Sequence, residues 1–155
     1  MTCKFNFIYI TNIPSVGKFI EKNGVRWVMI DLEYLGKSQR QKGRDTVISA
    51  HMISDVRHMR GHLNQQSLLV RVNPFSKSSR QEIEAVIQAG ADAIMFPYFK
   101  KKQEVENFVD IIASRCKVFL LLETLEGILN LPDILSISGI DYVHIGLNDL
   151  HIERK

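Results

Sequence analysis

Apolar residues in this chain gather in six short runs separated by longer amphipathic stretches. Phe5 to Ile10, Trp27 to Ile30, Ser67 to Val72, Ala91 to Phe96, Val118 to Leu122 and Tyr142 to Ile145 are each too short for a helix and apolar enough for a buried strand. Between them the apolar spacing changes to three and four. Pro14 fits the first turn of a helix ending near Asn23-Gly24. Thr46 to Gly61 reads as a helix with Ile48, Met52, Val56 and Met59 on one stripe. Ser79 caps a helix to about Ala89, which Gly90 ends. Gln103 to Ser114 places Val105, Phe108, Val109 and Ile112 inward. Thr124 caps a helix running to about Ser136. Gly36 to Asp45 is a polar loop, and Asn73-Pro74 and Pro97 stop the strands before them. Strands alternate strictly with helices and no hairpin signal intervenes. The pattern predicts an α/β protein with a parallel sheet, joined by right-handed crossovers.

Strand ends carry the chemistry. The run KVFLLLETLEG ends its strand on Glu123, and GIDYVHIGLNDL leads from the next strand into Gly146 and Asp149. Adjacent parallel strands lie about 4.8 Å apart, so the two carboxylates face one cleft at the carboxyl end of the sheet. Their charges repel, and they share either a proton or a cation. A hard divalent ion such as Mg²⁺ or Mn²⁺ suits two carboxylates with water and substrate oxygens in the remaining positions. The competing possibility is a helix-capping Glu and a loop Asp. Period-2 facing adds two residues. Arg71 shares a face with Leu69, and Asp31 shares one with Met29. Asp31, Arg71, Glu123 and Asp149 thus fall at one end of the sheet, where parallel α/β folds build their sites.

Composition narrows the classes. A length of 155 residues suits one domain with a substantial core, and 45% hydrophobic with 24% charged residues is ordinary for a globular chain. The net charge of +3 is dispersed. Its densest runs, Lys37 to Arg44 and Lys100 to Lys102, lack aromatic interleaving, so no nucleic-acid partner is expected. No apolar run approaches the ~20 residues that span a bilayer, and no membrane association is expected. Cys3 and Cys116 have no metal or redox spacing, and the start, MTCKFNFIYI, lacks the form of a signal peptide. A cytoplasmic location is the expectation.

The motifs IDLEY, LLVRVN, GADAIMFPYF, LLLETLEG and GIDYVHIGLNDL, in this order, resemble the HpcH/HpaI aldolase and citrate lyase family. The stretch IDLEYLGKSQRQ resembles a branch of aldolase-like proteins associated with surface-polysaccharide or spore-coat gene neighbourhoods. The resemblance implies a (β/α)₈ TIM barrel, present here as about six βα units in a single partial domain over residues 1–155. It implies a divalent metal, Mg²⁺ or Mn²⁺, on Glu123 and Asp149. It places Arg71 on the keto-acid carboxylate and enolate oxygen, and the backbone at Gly146 and Leu147 in the turn that receives the substrate carboxylate. The implied chemistry is reversible carbon–carbon cleavage of a keto acid and an aldehyde by a homo-oligomer, through a metal-stabilised pyruvate enolate.

Three positions depart from the family's pattern. Tyr34 stands where the aldolase branch has a His in its acid/base machinery, and a phenol is a poor base at neutral pH. Leu121 replaces a Gln two residues before the metal-binding Glu. Leu147 replaces Pro after Gly146. Asp31 and Tyr34 are therefore the remaining catalytic candidates beside Arg71. Other readings are a citrate-lyase-like acyl-CoA lyase, or an inactive truncated paralogue serving only as an oligomer subunit.

Further candidates carry plainer explanations. His58 and His62, four apart, could bind zinc, yet an exposed pair without a third ligand is the simpler reading. His144 shares parity with Gly146 and faces either the metal or a buried hydrogen-bonding partner. Asp31 and Glu33 could hold a metal-bound water or form a salt link to Arg71 or Lys37. The Lys100–Lys102 run could attract an anion or be a solvated loop. A closed barrel has eight strands and typically about 250 residues. Two strands are thus missing, and a truncated product or fragment is expected, poorly soluble, oligomeric or inactive when alone.

Overall fold

A computed structural model describes residues 6–36, 49–65 and 67–154. Phe5, Cys3, most of the polar loop and basic run after Gly36, and Thr46 to Ile48 of the expected second helix lie outside the described residues. Six strands form one parallel sheet: β1 (Ile8–Ile10), β2 (Trp27–Asp31), β3 (Leu68–Arg71), β4 (Ala93–Phe96), β5 (Lys117–Leu122) and β6 (Tyr142–Ile145). Every strand pairs with its neighbours in the chain, in the order β1-β2-β3-β4-β5-β6. The helices between them are α1 (Pro14–Lys22), α2 (Ile53–Arg60), α3 (Ser79–Gln88), α4 (Lys102–Ile112), α5 (Leu125–Leu129), α6 (Leu131–Ile134) and α7 (Leu147–Glu153).

Strand alternation divides the apolar residues between two cores. Val28, Ile30, Leu68, Val70, Ile94, Phe96, Val118, Leu120 and Leu122 point outward and pack beneath the helices. Trp27, Met29, Leu69, Ala93, Met95, Phe119 and Leu121 point inward and pack on one another. The sheet curls far enough for β2 to meet β5 and β6. The Trp27 ring lies edge-on to Phe119 at 5.2 Å and to Tyr142 at 6.1 Å, and Phe119 stacks on Tyr142 at 4.3 Å. The result is a half-barrel with helices outside. Burying one Leu, Ile or Val contributes about 1.5–3 kcal/mol relative to exposure, so β2 to β5, apolar on both faces, anchor the fold.

Several local expectations change in the structure. The stripe on α2 shortens. Val56 and Met59 are fully buried, but Met52 is 63% exposed because it precedes the helix as its N-cap. Asp55 satisfies that end, accepting the Met52 N–H at 2.8 Å. Ser79 is the first residue of α3 rather than its cap, and its Oγ accepts the Ser76 N–H at 2.8 Å. Thr124 does cap, accepting the Gly127 N–H at 3.0 Å, but the helix it starts stops at Leu129. Pro132 forces a new start, α6, because its ring excludes a continuous helix through that turn. The largest correction concerns β6. Read as buried, it is exposed throughout, with Val143 at 41% and Ile145 at 58%, since only β5 pairs with it among the described residues.

Candidate functional site

The carboxyl ends of the strands converge on a group of charged side chains. β2 and β3 are paired with Asp31 directly opposite Arg71. That register makes their side chains meet. Arg71 Nε donates to Asp31 Oδ1 at 2.8 Å and Nη2 donates to Oδ2 at 2.7 Å, a two-bond fork. Glu33 Oε2 lies 3.4 Å from Arg71 Nε. Asp31 Oδ1 also accepts the Glu33 N–H at 3.2 Å, so one carboxylate sets both the guanidinium and the turn that returns Glu33 to it. Asp31 and Glu33 are buried, at 1% and 2% exposure. Of the two partners weighed for them, the salt link to Arg71 is present, and Lys37 lies outside the described residues.

Glu123 follows β5, and Gly146 follows β6. Leu122 and Ile145 pair in register, and the Gly146 N–H donates to the Leu122 carbonyl at 2.9 Å, which sets the two strand ends side by side. Glu123 Oε1 accepts the Tyr98 N–H at 3.0 Å. Its other oxygen lies against Gly146, where an added Cβ would come within 2.9 Å of Oε2. Asp149 is not in a loop. It occupies the first turn of α7, buried at 6% exposure. Burial, then the charges of Glu33 and Asp149, push the Glu123 carboxyl up to about 8, against the pull of Arg71 and the Tyr98 N–H. The carboxylates of Glu33, Glu123 and Asp149 and the Arg71 guanidinium therefore share one electrostatic environment.

Whether this group suits a cation depends on its donors. Among the described residues no set of three or more His, Cys, Asp or Glu side chains is gathered for a metal. The structure offers instead two buried carboxylates, all oxygen, with mutual charge to neutralise. That fits Mg²⁺ or Mn²⁺, which commonly bind through one or two carboxylates and keep other positions for water and substrate, and does not fit a closed structural zinc site.

The remaining candidates separate. Tyr34 is 66% exposed, and its backbone N–H donates to Asn73 Oδ1 at 2.9 Å. Its ring borders a cavity of about 530 Å³ with His51, Met52, Asn73 and Glu82. His58 and His62 stand ring to ring at 5.0 Å, and His62 Nδ1 bonds the His58 carbonyl at 2.9 Å. His144 lies on exposed β6 rather than buried. Local desolvation first, then the Arg71 charge, hold its imidazole below the usual range, which places it within reach of that guanidinium's field. In the Lys100–Lys102 run, the Lys100 and Lys101 N–H groups donate to Glu104 at the start of α4, at 2.7 and 2.9 Å. The structure adds two residues that sequence reasoning passed over. Tyr98 holds Glu123 through its backbone, and Glu153 reaches Tyr98 through its hydroxyl at 3.1 Å. Only the Pro97 before Tyr98 signals a special turn.

Among the described residues no helix is long and apolar enough to cross a membrane. No curated protein matches the chain. Solved structures do. The citrate synthase SbnG superposes with a TM-score of 0.71 at 21% identity, covering 96% of this chain and 64% of that one. The HpcH/HpaI aldolase from Desulfitobacterium hafniense DCB-2 gives 0.73 at 14%, covering 96% and 65%. Protein CitE from Mycobacterium tuberculosis, solved in complex with magnesium and acetoacetate, gives 0.66 at 16%, covering 96% and 57%. The chain spans less than two thirds of each of these proteins, and the likeness is one of fold, a TIM-barrel type of which six strands are described here. Residues 11–155 match the HpcH/HpaI aldolase/citrate lyase family. The chain belongs to that family.

Proposed function

We propose that this chain carries the site of a metal-dependent carbon–carbon lyase of the 2-keto-acid aldolase type. Glu123 and Asp149 hold Mg²⁺ or Mn²⁺, and Arg71 receives the substrate carboxylate. The observation that carries the reading is that Glu123, just after β5, and Asp149, in the first turn of the helix after β6, are both buried at the carboxyl end of the sheet and share one electrostatic environment with Arg71 at the end of β3. Two buried carboxylates beside one guanidinium suit a cation and an anionic oxygen ligand together. When bound, the cation supplies Lewis-acid polarisation of the keto group.

The chain's own residues do the rest. Asp31 and Glu33 hold the guanidinium by its Nε–Nη2 edge, and Nη1 takes no part in either link. That leaves the Nη1 side to meet a carboxylate. Both Asp31 oxygens bond Arg71 and Oδ1 also accepts the Glu33 N–H, so Asp31 acts by holding Arg71, and proton removal falls to solvent water. The backbone of Gly146 lies next to Glu123, and in this reading Gly146 and Leu147 line the carboxylate end of the substrate. Small keto acids and aldehydes are the proposed substrates, in a cytoplasmic homo-oligomer.

The citrate lyase side of the family leaves a second reading, a citrate-lyase-like acyl-CoA lyase. Dependence on acetyl-CoA separates the two. Exchange of the pyruvate methyl protons with solvent deuterium tests the first without requiring the aldehyde. Exchange should need Mn²⁺ or Mg²⁺ and should vanish in Glu123→Ala. Exchange that ignores both the cation and that substitution overturns the assignment.

A further inference from the structure

Glu123 and Asp149 belong to different βα units, and something must hold them to a common cation. The backbone pairing of β5 with β6 aligns the strand ends, but Asp149 lies beyond the strand, on α7. The seven residues of α7 contribute little stability of their own, since isolated helices this short are unstable in water. Leu147, at its start, is 73% exposed. One contact that pins α7 comes from its last residue. Glu153 Oε1 accepts the Tyr98 hydroxyl at 3.1 Å, and Glu153 Oε2 accepts the Leu125 N–H at 2.7 Å. One carboxylate thereby joins α7 to the loop after β4 and to the first turn after β5.

The spacing gives this link its meaning. Asp149 and Glu153 are four residues apart on α7 and share one helix face. Tyr98, which receives Glu153, also donates its N–H to Glu123 Oε1. Its backbone stands at φ 54°, a left-handed conformation unfavourable for a side-chain-bearing residue. Among the described residues the other non-glycine residues at positive φ, Ala113 and Ser114, lie before β5, at the opposite end of the sheet. Strain at Tyr98 therefore coincides with the point where one residue bonds a candidate ligand with its amide and that ligand's partner helix with its hydroxyl.

We propose that Tyr98 and Glu153 are positioning residues: their link clamps α7 so that Asp149 and Glu123 are set for one divalent cation by side chains that do not touch it. This deepens, and rests on, the reading of Glu123 and Asp149 as ligands. Outer partners of this kind typically change metal affinity ten- to a hundredfold.

The test is Mn²⁺ affinity measured by electron paramagnetic resonance on wild type, Tyr98→Phe, Glu153→Ala and the double variant, with Glu123→Gln as reference. Tyr98→Phe keeps the ring and the amide that bonds Glu123, so it removes only the hydroxyl, and its effect is read on the Mn²⁺ affinity of the folded variant. Each single variant should bind Mn²⁺ about ten- to a hundredfold more weakly. The double variant should lose no more than Glu153→Ala alone, because Tyr98 acts through Glu153. Wild-type affinity in both single variants overturns the clamp while leaving the ligands standing, and so do additive losses in the double variant. Wild-type protein that binds Mn²⁺ no better than Glu123→Gln overturns the ligand assignment and the clamp with it.

Discussion

Gly146 and Glu123 stand so close that no side chain fits between them. A methyl group on Gly146 would lie 2.8 Å from Glu123 Cβ and 2.9 Å from its Oε2, with Leu121 Cδ1 at 3.2 Å. The φ of Gly146 is −92°, open to any residue, so space and not backbone conformation excludes a substituent. Gly146→Ala should displace the Glu123 carboxylate, cost about 1–3 kcal/mol through overpacking, and abolish the rise in melting temperature that Mn²⁺ should give wild type if Glu123 is a ligand. Thermal unfolding with and without Mn²⁺ measures both. A full Mn²⁺ shift in the alanine variant would show that Glu123 yields without leaving the cation.

The raised proton affinity of Glu123 fixes a direction for pH dependence. Its carboxyl titrates near 4.5 when unfolded and at about 8 when folded. Between those values the folded chain holds a proton that the unfolded chain has released. Metal-free stability should therefore be highest below the unfolded value and fall as pH rises through this window, by up to about 1.4 kcal/mol per pH unit. Glu123→Gln should flatten that slope. Denaturant unfolding at a series of pH values decides it, and a wild-type stability that rises with pH across the window contradicts the burial argument.

Arg71 is held by a fork that only a guanidinium can make. Lysine keeps the charge but offers no planar pair of N–H groups to Asp31. Arg71→Lys should cost about 1.5–3 kcal/mol of stability, the range for a hydrogen bond to a charged group. It should also weaken oxalate binding in the presence of Mn²⁺ at least tenfold, about 1.4 kcal/mol. Calorimetry in which oxalate affinity stays unchanged would remove Arg71 from the substrate.

Tyr34 presents its ring to solvent, and the contact it makes with Asn73 runs through its backbone. Tyr34→Phe should accordingly leave metal-dependent proton exchange of pyruvate within about twofold of wild type, well inside the 10²–10⁴ that general acid–base groups supply. Complete loss would make the hydroxyl essential and reverse the assignment of proton removal to water.

The strands were legible because parallel strands covered on both faces are unbroken apolar runs, and Glu123 stood out because it ends the longest of them. Asp31 and Arg71 could be placed on one face by alternation alone, although only the register of β2 and β3 shows them bonded. Some of the expectations that changed turn on contacts distant in sequence, and others on local detail. Tyr142 to Ile145 has the composition of a covered strand, and its exposure follows from what pairs beside it, not from its own residues. Met52 matches the helical period yet lies one step before the helix, where a carboxylate ends the pattern. Pro132 was visible and should have divided the helix after Thr124. Tyr98 and Glu153, 55 residues apart, give no local sign of meeting, because a tyrosine forced to positive φ looks like any other tyrosine in a strand-ending loop.

Because each strand pairs with the one before it in the chain, the sheet can form by successive addition, each step closing only one crossover connection. The halves of the site then have different histories. Asp31 and Arg71 meet once β2 and β3 join, whereas Glu123 and Asp149 come together only when β6 settles on β5 and α7 folds over. The guanidinium is in place while the carboxylates are still apart. If Glu123 and Asp149 hold a divalent ion as proposed, binding of Mn²⁺ reports that β6 has docked on β5.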